Sequence, residues 1–150
     1  MKFIYEYDEK MPVSKKTLID THISFLGNRY HIAVILACIM LIAELLLILI
    51  NEWFLVILFV VGDTILNIFL RKRAIFVGGK IMQSLIGKRC EFLDEDIIIG
   101  ENKYEYSQIT KVIQKQDLVV IRFGKKALPM VVTDENREQM KELLEYIRGV

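Results

Sequence analysis

Apolar residues are concentrated in the middle of the chain, at positions 32–70. Two apolar runs, residues 32–50 and 53–70, contain one charged residue each and are separated only by Asn51 and Glu52. At 1.5 Å per residue, helices of these lengths reach about 27–28 Å, close to the thickness of the hydrocarbon core of a bilayer. A soluble protein of 150 residues is too small to bury two such helices. The pattern therefore predicts a two-helix transmembrane hairpin.

Residues 1–31 precede the first run and carry two different periodicities. Residues 2–7 alternate between two faces with period two, which predicts a short strand. Residues 17–28 repeat apolar side chains at helical spacing, which predicts an amphipathic helix lying on the membrane surface just before the first span. His22 and His31 have no metal-ligand partners at a suitable spacing, so we interpret them as polar residues of the membrane interface.

The pattern changes again after the second run. Residues 71–89 carry six basic residues and no acidic residue, and we expect them to continue the helix out of the membrane, weakened at Gly78 and Gly79. Residues 90–150 then alternate short β-type segments with polar turns, which is typical of an antiparallel sheet. The predicted strands are residues 90–93, 97–100, 104–106, 109–115, 118–123 and 127–132.

Apolar side chains at i, i+3, i+4 and i+7 spacing predict a final helix, with Thr133 or Asp134 as its N-cap. These apolar residues are Met140, Leu143, Leu144 and Ile147. We expect this stripe to close the open end of a curled sheet. The sequence therefore predicts a membrane α+β protein, in which a transmembrane hairpin carries a small antiparallel β domain capped by a C-terminal helix.

The distribution of charge predicts the orientation of the hairpin. The chain carries 20 basic and 19 acidic residues, a net charge of +1, so nothing favours a nucleic-acid partner. Basic residues flank both spans on the side of the chain ends, whereas the turn carries only Glu52. By the positive-inside rule we expect both termini in the cytoplasm. The cluster Arg71, Lys72 and Arg73 is either a plain topology signal or a contact for anionic lipids of the bilayer.

Glu44, Asp63 and Asn67 are polar residues at membrane depth, where an unpaired charge is costly. Asn67 follows Asp63 by four residues and so lies on the same helical face. Three interpretations remain open. In the first, these side chains join the helices to each other or to a second copy of the chain. In the second, they conduct protons or ions in a homo-oligomer, and in the third Glu44 reaches up to the headgroups.

No sequence motif indicates catalysis. Cys38 and Cys90 lack a CxxC or Cys/His spacing, and the acidic residues 94–96 lack the remaining ligands of a calcium loop. The Gly-Lys pairs of the chain lack the frame of a phosphate loop. We therefore expect a non-enzymatic protein that uses no cofactor and no metal.

Basic residues of the β domain form a candidate interaction edge, although residues 90–150 carry 9 basic and 12 acidic residues. Two kinds of partner are considered for this edge. An unidentified cytoplasmic protein or peptide would define a scaffold or regulatory module, and a lipid headgroup would define a lipid-sensing module. The candidate residues are Lys111, Lys115, Arg122, Lys125 and Lys126.

Short stretches and the order of the elements carry a resemblance to a known family. The stretches are EFLDEDIII at residues 91–99, YEYSQITKV at 104–112, LVVIRF at 118–123 and LPM at 128–130. With the hairpin between a short strand and a set of later strands, this order resembles the YcxB-like bacterial membrane proteins. The resemblance implies a bacterial cytoplasmic (inner) membrane location and a C-terminal part related to pleckstrin-homology (PH) folds, and it supplies no catalytic residues. Because a PH-type barrel has seven strands, we expect residues 2–7 to join the C-terminal sheet.

Overall fold

Four helices and seven strands follow one another in a computed structural model that describes residues 2–149. The helices are α1 (Lys15–Leu26), α2 (Asn28–Leu49), α3 (Trp53–Gln83) and α4 (Arg137–Gly149). The strands are β1 (Phe3–Glu6), β2 (Arg89–Phe92), β3 (Asp96–Ile99), β4 (Asn102–Glu105), β5 (Ile109–Lys115), β6 (Leu118–Phe123) and β7 (Lys126–Val131). Every predicted strand is confirmed, with ends that agree to within about two residues.

The strands form two antiparallel sheets, ordered β1-β2-β3-β4 and β5-β6-β7. Their facing sides enclose one core, in which Phe92, Ile97 and Ile121 have no exposed surface. Strand β6 is buried along nearly its whole length because it is the central strand of its sheet and because α1 also packs on it. The β domain therefore has a hydrophobic core, to which the C-terminal end of α3 contributes Met82.

Helix α4 closes this core as the sequence predicts, since Met140, Leu143 and Leu144 are buried against the sheets. Helix α4 begins at Arg137, so neither Thr133 nor Asp134 directly precedes it. In the turn before the helix, Thr133 and Asn136 exchange hydrogen bonds between side chain and backbone. These reciprocal bonds satisfy two backbone donors of the turn.

Strand β1 joins the C-terminal sheet, as expected for residues 2–7. It pairs antiparallel with β2, and the register places Phe3 opposite Phe92 and Glu6 opposite Arg89. Residues 7–88, which include α1, α2 and α3, thus leave the sheet at one strand and return to it at the adjacent strand. The two long helices are an insertion within the β domain rather than a separate segment attached to one end.

Two tyrosines of the N-terminal segment also connect the two sheets. The hydroxyl of Tyr7 donates to the carbonyl of Pro129 at 2.8 Å, and the amide of Val131 donates to the hydroxyl of Tyr5 at 2.7 Å. Both bonds are buried and satisfy backbone groups of β7, an edge strand. The N-terminal segment is therefore part of the core and not an appendage.

Helices α2 and α3 confirm the two predicted apolar helices, and each is long and apolar enough to cross a membrane. In their most apolar stretches 0% and 6% of the residues are buried within the chain. At the turn between them, Asn51 adopts a φ of +65° and accepts a hydrogen bond from the indole of Trp53. Asparagine is among the residues that tolerate this conformation.

Helix α3 continues through residues 71–83 without a break at Gly78 or Gly79, so the expected weakening there is not seen. This extension packs against α1. A Cβ atom at Gly78 would lie 2.1 Å from the carbonyl oxygen of Leu18, whereas Gly79 has open space beside it. Gly78 therefore permits the close crossing of the two helices, which is a packing role and not a helix end.

The predicted helix α1 is confirmed, but it packs differently from the expected membrane-surface helix. Its most buried residues are Thr17, Thr21 and Ser24, at i, i+4 and i+7 spacing. The hydroxyls of Thr21 and Ser24 donate to backbone carbonyls one turn earlier, so their burial leaves no unpaired donor. Helix α1 thus lies between the extension of α3 and the sheet of β6 and β7.

We predict that Gly78→Ala destabilises the protein by about 1–3 kcal/mol, because the added methyl group forces α1 away from α3. Gly79→Ala is the matched control. It adds the same methyl group to the same helix in open space, where replacing glycine stabilises a helix by up to about 1 kcal/mol. Thermal unfolding of the two variants in mild detergent, followed by circular dichroism, measures the difference. Equal unfolding temperatures would contradict the close crossing.

We predict that Tyr7→Phe lowers the free energy of unfolding by about 1–2 kcal/mol, because the buried carbonyl of Pro129 loses this hydrogen bond. Tyr30→Phe serves as the control, since Tyr30 is exposed on α2. Denaturant titration of the purified full chain gives both values. A Tyr7 variant as stable as the Tyr30 variant would show that the N-terminal strand does not contribute this contact.

Candidate anion-binding site

Helices α1 and α2 meet at Gly27, which adopts a φ of +55° and a ψ of −125°. A Cβ atom at this position would lie 2.8 Å from a terminal guanidinium nitrogen of Arg122. Glycine is therefore favoured by the backbone conformation, and the terminal part of the Arg122 side chain occupies the space beside it. The sharp change of direction at Gly27 brings the start of α2 next to the sheet of β5, β6 and β7.

An open pocket of about 630 Å³ lies where this junction meets the sheet. The helix junction, the start of β5, the end of β6 and the β6–β7 turn all contribute to it. Half of the lining residues are cationic and none is acidic. The lining residues are Leu26, Gly27, Arg29, Thr110, Lys111, Arg122, Gly124 and Lys125. We call this the cationic pocket.

Arg122 lies at the centre of the cationic pocket. Its register partner on β5 is Lys111, so the two cations stand directly opposite each other on one face of an antiparallel pair. The Nε atom of Arg122 is buried and has no hydrogen-bond partner among the described residues. Like charges placed opposite each other destabilise a sheet, and a buried donor without a partner adds to that cost.

Thr110 holds the rim of the cationic pocket in place. Its hydroxyl donates to the carbonyl of Arg122 and accepts from the amide of Gly124, both at 3.2 Å. These bonds form where the pairing of β5 and β6 shifts register between Ile109 and Lys111. Irregularities of this kind re-aim side chains at the edge of a sheet.

The structure divides the five predicted edge residues into two groups. Lys111, Arg122 and Lys125 line the cationic pocket, and none of them has an ion-pair partner among the described residues. The other two are engaged elsewhere. Lys115 forms a 2.6 Å salt bridge with Asp20 of α1, and the Lys126 ammonium lies 5.5 Å from the ring centroid of Tyr104 and donates to its hydroxyl.

Arg29 completes the cationic pocket and was not among the predicted site residues. From the sequence, the basic residues before the first span were interpreted only as a topology signal. The charge of Arg29 was visible in the sequence, but its proximity to Lys125 depends on the turn at Gly27 and on the packing of α1 against the sheet. A glycine between two helical periodicities was the only local signal for that turn.

The predicted basic cluster Arg71, Lys72 and Arg73 lies on α3 near the C-terminal half of α1. Leu18 contacts Gly78, and His22 lies close enough to Arg73 for the guanidinium to affect its pKa, so α1 and α3 run antiparallel. The C-terminal end of α1 therefore lies toward the part of α3 where the apolar run ends. The cationic pocket lies at this end of α1.

The predicted intramembrane residues are only partly connected by hydrogen bonds. One carboxyl oxygen of Glu44 is buried and has no hydrogen-bond partner among the described residues. The Asn67 amide donates to the backbone carbonyl of Asp63 at 3.0 Å, within α3. Among the residues that the structure describes, no hydrogen bond or ion pair connects Glu44 to Asp63.

No group of three or more metal-ligating side chains is found within residues 2–149. Cys90 is buried in the core, and burial raises the pKa of its thiol to about 11. The thiol is therefore protonated at neutral pH, which is the unreactive form. We therefore take the cationic pocket, with four cationic and no acidic lining residues, as the candidate functional site. Comparisons with protein-family models, curated proteins and solved structures find no match to this chain.

We predict that the contact between α1 and α3 weakens in acid through His22. Partial burial and the Arg73 guanidinium lower the pKa of His22 below its ordinary value. At this position the unfolded chain therefore binds a proton more readily than the folded chain does. The contribution of neutral His22 to the free energy of unfolding is complete above about pH 6.5 and decreases as the pH drops below that value. His22→Gln should make the loss of thermal stability between neutral and mildly acidic pH smaller.

His31→Gln is the control for this measurement, because His31 is exposed on α2. Full pH–stability curves for the three proteins in one detergent give the comparison. If the His22 and His31 variants both keep the pH dependence of the unchanged protein, His22 does not control it.

Proposed function

We propose that this chain is a non-enzymatic bacterial inner-membrane protein of the YcxB-like kind. In this proposal the hairpin of α2 and α3 crosses the membrane, and the β domain is a PH-like binding module on its cytoplasmic face. The module would act as a scaffold or regulatory protein, with the cationic pocket as its binding surface. Its partner is a cytoplasmic protein or peptide, or a lipid headgroup.

The exposure of the long helices supports the membrane assignment. A core helix of a soluble protein is mostly buried, whereas the apolar faces of α2 and α3 are open on nearly all sides. Ile35 is 59% exposed and Phe54 is 75% exposed. Continuous apolar surface of this extent is unfavourable in water by about 25 cal/mol per Å², and lipid removes that cost.

The pairing of β1 with β2 is the single observation that carries the proposal. Because both ends of the inserted segment return to one sheet, a chain that crosses the membrane in α2 must cross back in α3. Both termini then lie on the same side. Arg29 before the first span and the cluster at Arg71 after the second favour the cytoplasm for that side.

The strand arrangement supports the PH-like assignment. Two antiparallel sheets of four and three strands share one core, and a C-terminal helix packs on it. In this reading the membrane hairpin occupies the connection between the first two strands. The packing of α1 against both α3 and the sheet, with the salt bridge from Lys115 to Asp20, supports one orientation of the domain relative to the hairpin.

Labelling of single cysteines tests this topology. In a variant lacking Cys38 and Cys90, a cysteine is introduced at Lys10, Glu52 or Glu135, which are exposed before, between and after the long helices. We expect a membrane-impermeant maleimide to label only the Glu52→Cys protein in intact bacteria. The other two should react after the membrane is permeabilised. Labelling of Lys10→Cys and Glu135→Cys from opposite sides would overturn the proposal.

A further inference from the structure

We propose that the cationic pocket binds the phosphate group of an anionic glycerophospholipid in the membrane that the hairpin crosses. This inference rests on the proposed function for the position of the pocket next to a bilayer. It goes further by assigning a ligand class to cations that have no ion-pair partner among the described residues. The residues concerned are Arg29, Lys111, Arg122 and Lys125.

The balance of charge in the pocket calls for an anion. Four cations come from three separate parts of the chain, and no acidic side chain lines the same cavity. Elsewhere on the domain, Lys115 pairs with Asp20 and Lys103 pairs with Asp96. The cations of the pocket have no such carboxylate among the described residues, so all four would attract an anion from outside.

The chemistry of Arg122 fits a phosphate. A guanidinium presents donors in a planar fork that matches two phosphate oxygens. The terminal nitrogens of Arg122 lie beside Gly27, on the wall of the pocket. A phosphate in the pocket would accept hydrogen bonds from these terminal nitrogens. It would also offset the repulsion between Arg122 and Lys111, which face each other across the sheet.

The position of the pocket favours a lipid over a soluble phosphate. Helix α2 starts at the wall of the pocket, and Arg29 is the last charged residue before its apolar run. The phosphates of a bilayer lie just outside the hydrocarbon core, at the level where such a run begins. The positive end of the α2 dipole points the same way. A lipid whose chains lie beside α2 can therefore place its phosphate in the pocket.

The test uses the full chain purified in a non-ionic detergent. The probes are phosphatidylglycerol and the zwitterionic phosphatidylcholine, and the measurement is the rise in unfolding temperature as lipid is added. We expect phosphatidylglycerol to stabilise the protein more than phosphatidylcholine does. In the double variant Lys111→Gln/Lys125→Gln, the apparent affinity for phosphatidylglycerol should fall roughly tenfold or more, as expected for losing charged hydrogen bonds.

Lys126→Gln is the matched control. Lys126 adjoins Lys125 in the same turn and has the same charge, but it contacts Tyr104 and does not line the pocket. It should retain the response to phosphatidylglycerol. Arg122→Gln is a second test, because it changes the central donor. The double variant replaces only exposed residues and so remains interpretable if the Arg122 variant does not fold.

Three outcomes would overturn the lipid assignment. The double variant could keep the full response, which would place the contact elsewhere, for example at the cluster of Arg71. Lys126→Gln could lose the response as strongly as the double variant. That result would indicate that the response depends on the total positive charge and not on the pocket. Inorganic phosphate or glycerol 3-phosphate could reproduce the stabilisation, which would identify a free phosphate as the ligand. None of these outcomes changes the topology found by cysteine labelling, so the two proposals fail separately.

Discussion

The pairing of β1 with β2 constrains where the hairpin lies relative to the β domain. Because residues 7–88 must begin and end at neighbouring strands, the long hairpin is tied to the β domain by two adjacent chain connections. Helix α1 and the extension of α3 fill the space between sheet and hairpin, and Gly78 lets them approach closely. The position of the domain relative to the hairpin therefore follows from backbone pairing and close packing rather than from a flexible linker.

The sequence was sufficient for the elements that have a strong period. The two apolar runs, the strands after residue 89 and the stripe of α4 are all present where the pattern places them. The packing of α1 could not be predicted in this way. Its buried face consists of Thr17, Thr21 and Ser24, which hydropathy assigns to the solvent side. Their hydroxyls bond within the helix, and this tertiary arrangement makes small polar residues suitable for burial.

The candidate site was predictable only in part, for a related reason. Five basic residues of the β domain look equivalent in the sequence, but Asp20 engages Lys115 and Tyr104 engages Lys126. The remaining three meet Arg29, which lies more than 80 positions earlier in the chain than Lys111. A one-dimensional pattern shows how many charges are present. Which of them remain without a partner is decided by the folded contacts.

The insertion of the hairpin within the sheet has a consequence for biogenesis. Strand β1 is synthesised before both long helices, but its partner β2 is synthesised only after them. In the proposed topology, Phe3, Tyr5 and Tyr7 stay without their core contacts until the helices have entered the membrane. Completion of the cytoplasmic fold is therefore coupled to membrane integration, and a chain that fails to insert has an unfinished sheet exposed to quality control.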